Sequence, residues 1–232
     1  MFEKVKTTKV YELVIEQIKE LINKGELRCG DRLPPERELC EKLNVSRTSI
    51  REALRALEML GIVECRQGGG NFIKEHFEDS LVEPLSMTFM LHGSKIEEVM
   101  EIRIILESET AALAAAKISE EQLRELKDMS TQLNNTEDEM SSAELDKKIH
   151  YKIVQAADNF LIVNMMNAIS SLVESYIENA IVSMNNDEEG KKILRKQHVS
   201  IIRSIEAHNP EEAAAAMREH LIYTDNYIKS HQ

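Results

Sequence analysis

The chain has 232 residues, 42% of them hydrophobic, with 29 basic and 41 acidic side chains and a formal net charge of −12. This balance excludes disordered and collagen-like chains, and no apolar run approaches the 18 residues of a membrane span. The opening MFEKVKTTKV lacks the apolar core of a signal peptide, which points to the cytoplasm, and Cys29, Cys40 and Cys65 show no spacing for a disulfide framework or a cysteine zinc site.

Residues 1–75 read as three helices and a hairpin. The first helix is expected over about 9–24, with Val10, Leu13, Val14, Ile18, Leu21 and Ile22 near helical spacing and Gly25 as its stop. Leu33-Pro34-Pro35 enforces an extended entry into a short second helix, about 35–43, with Pro35 suited to its first turn and Leu39 and Leu43 facing inward. Asn44-Val45-Ser46 makes a tight turn, and Ser46 caps a third helix over 47–60 whose buried stripe is Ile50, Leu54, Leu57 and Leu60. Gly61 ends that helix. Ile62 to Cys65 alternates as a strand, Gly68-Gly69-Gly70 turns, and Asn71-Phe72-Ile73 returns.

The charge shifts at this point. Residues 1–75 hold 14 basic and 13 acidic side chains, whereas residues 76–232 hold 15 and 28. The chain therefore divides into a near-neutral module, 1–75, and a strongly acidic one, 76–232. The acidic module reads helical throughout, with segments near 78–91, 95–117, 119–134, 141–157, 159–184, 188–207 and 210–230. Ser119 with Gln122 fits a capping box, and Asn209 precedes a first-turn Pro210. The expected fold class is mainly α: a winged helix-turn-helix of three helices and a β-hairpin, then an all-α antiparallel helical bundle.

On the third helix, burial of Ile50, Leu54 and Leu57 turns Arg47 and Arg51 together onto the opposite face, with Thr48 and Ser49 beside Arg47. This is the end of a recognition helix that enters the major groove, where arginine pairs with guanine O6 and N7. Arg55 lies about 12 Å further along and suits a phosphate contact or an intramolecular pair. An ordinary solvated charged face is the competing reading.

In the acidic module Asp146 and His150 share a helix face at i, i+4, beside Leu145, Ile149 and Ile153. His198 lies in the stripe Leu194, His198, Ile201, Ile202, Ile205, and His220 in Ala213, Ala216, Met217, His220, Tyr227. Three nitrogens and one carboxylate on inward faces make a metal site; three separate core histidines are the alternative. Arg103 replaces an apolar residue in the stripe Ile96, Val99, Met100, Arg103, Leu106, Thr110. Its partner is either Glu107, one turn away, or a bound carboxylate. His76, His92, His208 and His231 receive no role. A metal-dependent helical-bundle enzyme remains an alternative, although the paired Glu-x-x-His motifs of di-iron bundles are missing from the sequence.

The run from Leu33-Pro34-Pro35-Glu36-Arg37-Glu38-Leu39 through Glu41-Lys42-Leu43-Asn44-Val45-Ser46-Arg47-Thr48-Ser49-Ile50-Arg51-Glu52-Ala53-Leu54 to Gly61 closely resembles the signature of the GntR family of bacterial transcription regulators. The resemblance implies operator contacts from Arg37, Arg47 and Arg51 with Ser46, Thr48 and Ser49, and a wing tip at Gln67 and Gly68 lying in or over the minor groove. Two departures, Asn44 for a frequent glycine and Cys40 for a usual alanine, are tolerable, since Asn adopts left-handed turns and Cys is small. Residues 77–232 resemble the FCD effector-binding domain of the FadR subfamily through Glu101-Ile102-Arg103, Leu106-Glu107, Asp146 with His150, His198 and His220. That resemblance implies a divalent metal on Asp146, His150, His198 and His220, zinc first with nickel or manganese as alternatives, a small organic acid held at Arg103, and a homodimer on a pseudo-palindromic operator. In this reading the protein is a repressor. The metal could instead be purely structural, or itself the signal.

Overall fold

A computed structural model describes residues 9–75, 84, 87–88, 91–93, 95–185 and 187–230. The chain divides into two units, Met1–Leu81 and Val82–Gln232. The segment expected near 78–91 falls mostly outside the described residues, as do His76 and His231.

The first unit contains α1 (Val10–Asn23), α2 (Glu36–Leu43), α3 (Arg47–Met59), β1 (Val63–Arg66) and β2 (Gly70–Ile73). Val14, Ile15 and Ile18 of α1 meet Leu39 of α2, Ile50, Ala53, Leu54 and Leu57 of α3, and Val63 and Ile73 of the hairpin in one apolar cluster. Three stripe assignments and one cap position need correction. Val10 and Leu13 of α1 are largely exposed and Ile15 is buried in their place, so the inward face is rotated by part of a turn. Leu60 is 57% exposed because α3 ends at Met59, and Leu60 occupies the cap, beyond the helix's buried face. Pro35 is the N-cap residue of α2 rather than its first helical residue.

Between α2 and α3, Asn44 adopts the left-handed conformation (φ 51°), the turn that glycine would otherwise supply. The Ser46 hydroxyl then accepts the Ser49 amide at 3.1 Å, capping α3. β1 and β2 pair antiparallel with Val63 opposite Ile73 and Arg66 opposite Gly70. Residues 30–33 run along β2, with the Leu33 amide on the Asn71 carbonyl and the Ile73 amide on the Asp31 carbonyl, both at 2.8 Å.

The second unit contains α4 (Ile96–Lys117), α5 (Glu120–Asn135), α6 (Glu139–Ala156), α7 (Phe160–Asn185), α8 (Glu188–Glu206) and α9 (Pro210–Ser230). Several starts are set by side-chain caps: Ser119 with Gln122 at α5, Asp138 at α6 and Asp187 at α8. Helix α4 is the hub, packing against α6, α7, α8 and α9. Its alanines Ala111, Ala114 and Ala115 let neighbouring helices approach, and Leu126, Ile149, Ile153, Ile201, Ile205, Met217 and Leu221 fill the space around them. His208, left-handed at the turn between α8 and α9, sets its Nδ1 2.8 Å from the Ala115 carbonyl oxygen and so ties that turn to the end of α4.

Among the described residues no helix is long and apolar enough to cross a membrane.

Candidate nucleic-acid interface and metal centre

The N-terminal end of α3 presents Arg47, Thr48 and Arg51 to solvent, with Ser49 half-buried. Arg51 Nε donates to Glu36 Oε2 at 2.9 Å, and Arg37 Nε donates to Glu41 Oε1 at 3.0 Å, both across exposed surface. Arg47 makes no ion pair among the described residues. The Ser46 hydroxyl, which caps α3, also lies 3.0 Å from the Ser49 hydroxyl, so the two are hydrogen-bonded to each other, whereas Thr48 is exposed.

At the wing tip Gln67 and Gly68 are exposed, and Gly68 holds φ 72° with open space where a side chain would stand. Two arginines that the sequence reading did not single out flank this wing. The Arg66 guanidinium lies 4.3 Å from the Phe72 ring centroid and pairs with Glu64 at 2.5 Å, and Arg32 lies 5.8 Å from the same ring. No spacing rule links Arg32 to Phe72. Their proximity arises only because residues 30–33 align beside β2.

In the second unit Asp146, His150, His198 and His220 are all buried, and one ligand atom from each lies within 4.8 Å of the others. Asp146 and His150 share one face of α6; α8 brings His198 and α9 brings His220. Each imidazole is oriented through Nδ1. His198 Nδ1 is 2.9 Å from the Leu194 carbonyl oxygen, His220 Nδ1 is 3.1 Å from Gln197 Oε1, and His150 Nδ1 is 2.5 Å from Glu107 Oε2. Those oxygens only accept, so the ring protons sit on Nδ1 and the Nε2 lone pairs face inward.

The convergence is electrostatically incomplete. His150 Nε2 and His220 Nε2 lie 3.1 Å apart. His198 Nε2 and Asp146 Oδ1 lie 3.0 Å apart, yet both are buried without a hydrogen-bond partner. Clustered lone pairs out of water require a cation between them, either a proton or a metal. The titration directions agree. Burial opposes a charge on His150, but the Glu107 carboxylate outweighs it and raises His150 above the usual imidazole value. Burial, then the charges of His198 and His150, push His220 well below it. Burial also works against ionisation of Asp146, but the imidazole of His198 facing it, then the charges of His150 and His220, outweigh burial and hold the carboxyl well below the usual carboxylate range.

The residues fit a metal. Ligand atoms about 2.1 Å from one cation lie about 3.4 Å apart at tetrahedral corners and at most about 4.2 Å apart, so a cluster within 4.8 Å closes on one cation with a modest contraction of its side chains. A three-nitrogen, one-oxygen donor set suits zinc and its neighbours, and an Nδ1–H partner on every histidine is the outer shell such sites carry.

Arg103, on α4, is buried with Glu107 one turn along: Nε donates to Glu107 Oε1 at 2.6 Å, and Nη1 lies 3.9 Å from Met100 Sδ. The carboxylate of Glu107 thus joins Arg103 to His150. Burial raises a carboxyl's value, but Arg103 and His150 together hold Glu107 at about 2. Sequence spacing relates Glu107 to Arg103 on one helix. Its contact with His150, 43 residues away, comes only from the packing of α4 on α6.

Comparison with known proteins agrees with both units. Residues 10–73 match the bacterial regulatory proteins of the gntR family, and residues 98–222 match the FCD domain. The HTH-type transcriptional regulator LutR of Bacillus subtilis is 31% identical over 91% of this chain and 97% of its own length. The Glc operon transcriptional activator of Escherichia coli K12 is 29% identical over 91% of this chain and 86% of its own. The solved structure of Streptococcus agalactiae GntR superposes with a TM-score of 0.69 at 26% identity, covering 93% of this chain and 99% of that one. These are transcription regulators rather than enzymes, which removes the alternative of a helical-bundle enzyme. The chain belongs to the GntR family and is a DNA-binding transcription regulator with an FCD-type helical domain.

Proposed function

We propose that this regulator is a homodimeric repressor that reads a pseudo-palindromic operator and answers to a small carboxylate through a divalent metal. Arg47 and Arg51 would read base edges in the major groove, with Arg37, Ser46, Thr48 and Ser49 on phosphates or adjacent edges and Gln67 and Gly68 at the minor groove. The exposed pairs Arg37–Glu41 and Arg51–Glu36 support this role, because solvent-screened bonds are exchanged for DNA at little cost. Arg32 and Arg66, spread around Phe72, add positive charge beside the wing.

The observation that carries the sensing half is the buried convergence of Asp146 with three Nε2 atoms whose Nδ1 positions all face acceptors. These four residues would hold the metal, zinc first, with nickel or manganese as alternatives. Bound there, a metal supplies a Lewis-acidic position for a carboxylate oxygen. Arg103 uses Nε on Glu107 and keeps its terminal amino groups for the same carboxylate, the Met100 sulfur being only a weak acceptor. Switching requires the acid to favour one of two arrangements of the dimer.

The test is operator binding at fixed salt, with metal-loaded protein and a panel of small carboxylic acids, beside an Asp146→Ala/His150→Ala variant. One acid should shift affinity at least tenfold in the wild type and not in the variant. A wild type that binds operator well and responds to no acid would overturn the sensing half.

A further inference from the structure

Glu107 lies outside the four-residue cluster, yet it is 2% exposed and each of its oxygens is committed to a different buried group. Oε1 accepts from Arg103 and Oε2 faces His150 Nδ1. We propose that Glu107 is the positioning residue of the metal centre: it fixes the tautomer and ring orientation of His150, and through its second oxygen makes Arg103 part of the same buried chain. This rests on the reading that Asp146, His150, His198 and His220 hold a metal.

Glu107 differs from the other two orienting groups in charge and in acceptor count. His198 takes its orientation from the backbone of its own helix, through the Leu194 carbonyl, and His220 from the neutral Gln197 amide. His150 alone is oriented by a charged group, and that group comes from the hub helix α4. A carboxylate on Nδ1–H sharpens the donor character of Nε2 and excludes the tautomer that would aim a proton at the metal. Two donors, Arg103 Nε and His150 Nδ1, need two acceptor oxygens, and an isosteric amide has one. A carboxylate ligand drawn to Arg103 would therefore act one bond away from a metal ligand.

The experiment measures zinc affinity by competition with a chromophoric chelator, with circular dichroism as the folding check. Glu107→Gln should bind zinc about 10–100-fold more weakly than wild type, because the single amide oxygen cannot serve both donors. Should that variant fail to fold around an unpaired arginine, two double variants decide. Arg103→Met/Glu107→Gln frees the amide oxygen for His150 and should recover to within about threefold of wild type. Arg103→Met/Glu107→Leu offers no acceptor and should stay about 10–100-fold weaker. In nitrogen-15 spectra of the zinc forms, the His150 ring should carry its proton on Nδ1 in the wild type and the Gln pair, and lose that single tautomer in the Leu pair. Equal zinc affinity of the Leu and Gln pairs would overturn the positioning role while leaving the metal centre standing. A wild type that takes up neither zinc nor nickel would overturn the metal reading, and the positioning role with it.

Discussion

The two units treat arginine–glutamate pairs in opposite ways. In the DNA-reading unit, Arg37 and Glu41 face solvent with side chains 80% and 65% exposed. In the helical unit, Arg103 and Glu107 are 8% and 2% exposed at the same i, i+4 spacing. The exposed pair is screened and exchangeable, which suits side chains that must leave a partner for a phosphate or a base. The buried pair is fixed. Neither member can be removed without stranding the other out of water, so it suits groups that must hold a third residue in place.

The largest test of that contrast is to break the buried pair. Arg103→Ala should cost about 3–5 kcal/mol of unfolding free energy, read by denaturant titration, because Glu107 is left as a buried charge. The sign with pH follows from the depressed carboxyl. Arg103 and His150 hold Glu107 at about 2 against an ordinary 4.5, so its stabilisation is complete above the unfolded value and is lost as pH falls towards 2. Arg103→Ala should therefore move acid unfolding to higher pH. A cost below about 1 kcal/mol would place this pair in the class of the exposed ones.

Metal should act on one unit alone. A ligand that binds only the folded chain adds about 4 kcal/mol at a thousandfold excess over its dissociation constant. Zinc should therefore raise the melting temperature of the helical unit and leave the DNA-reading unit unmoved. His220→Ala should abolish the rise. A rise that survives His220→Ala would mean that zinc binds elsewhere.

On the other side of the comparison, Arg51→Ala should cost about 1–3 kcal/mol on the cognate operator and relax one base position. Equal losses on cognate and random DNA would make Arg51 a phosphate contact, released from Glu36 for charge alone.

How far the sequence reached differs between the units for a physical reason. The first unit was readable almost element by element, because its signals are local: the Asn44 turn, the Ser46 cap and the glycine turn of the hairpin all act within a few positions, although each strand lies one residue from where alternation put its edge. Its misreadings, Leu13 outward and Ile15 inward, come from a period of 3.6 sampled over a helix of 14 residues, where a shift of one position still fits the pattern. In the helical unit the stripes picked out Asp146, His150, His198 and His220 as inward-facing side chains, and packing brings their ligand atoms together. What links Glu107 to His150, or Arg32 to Phe72, is a contact between elements, and no periodicity along one element contains it.

The exposed pair should contribute least to stability. In a double-mutant cycle on Arg37→Ala and Glu41→Ala, the coupling energy should be below about 0.5 kcal/mol, since an exposed helical pair gains little against ordering two long side chains. The same cycle read by operator binding should behave differently. Glu41→Ala removes a competitor for the Arg37 guanidinium and a negative charge beside the phosphates, so affinity should rise slightly and association quicken at low salt. Arg37→Ala should weaken binding and flatten the salt dependence by about one phosphate contact. A pair that couples strongly in stability but is silent in DNA binding would mean that Arg37 belongs, like Arg103, to the architecture rather than to the surface that meets DNA.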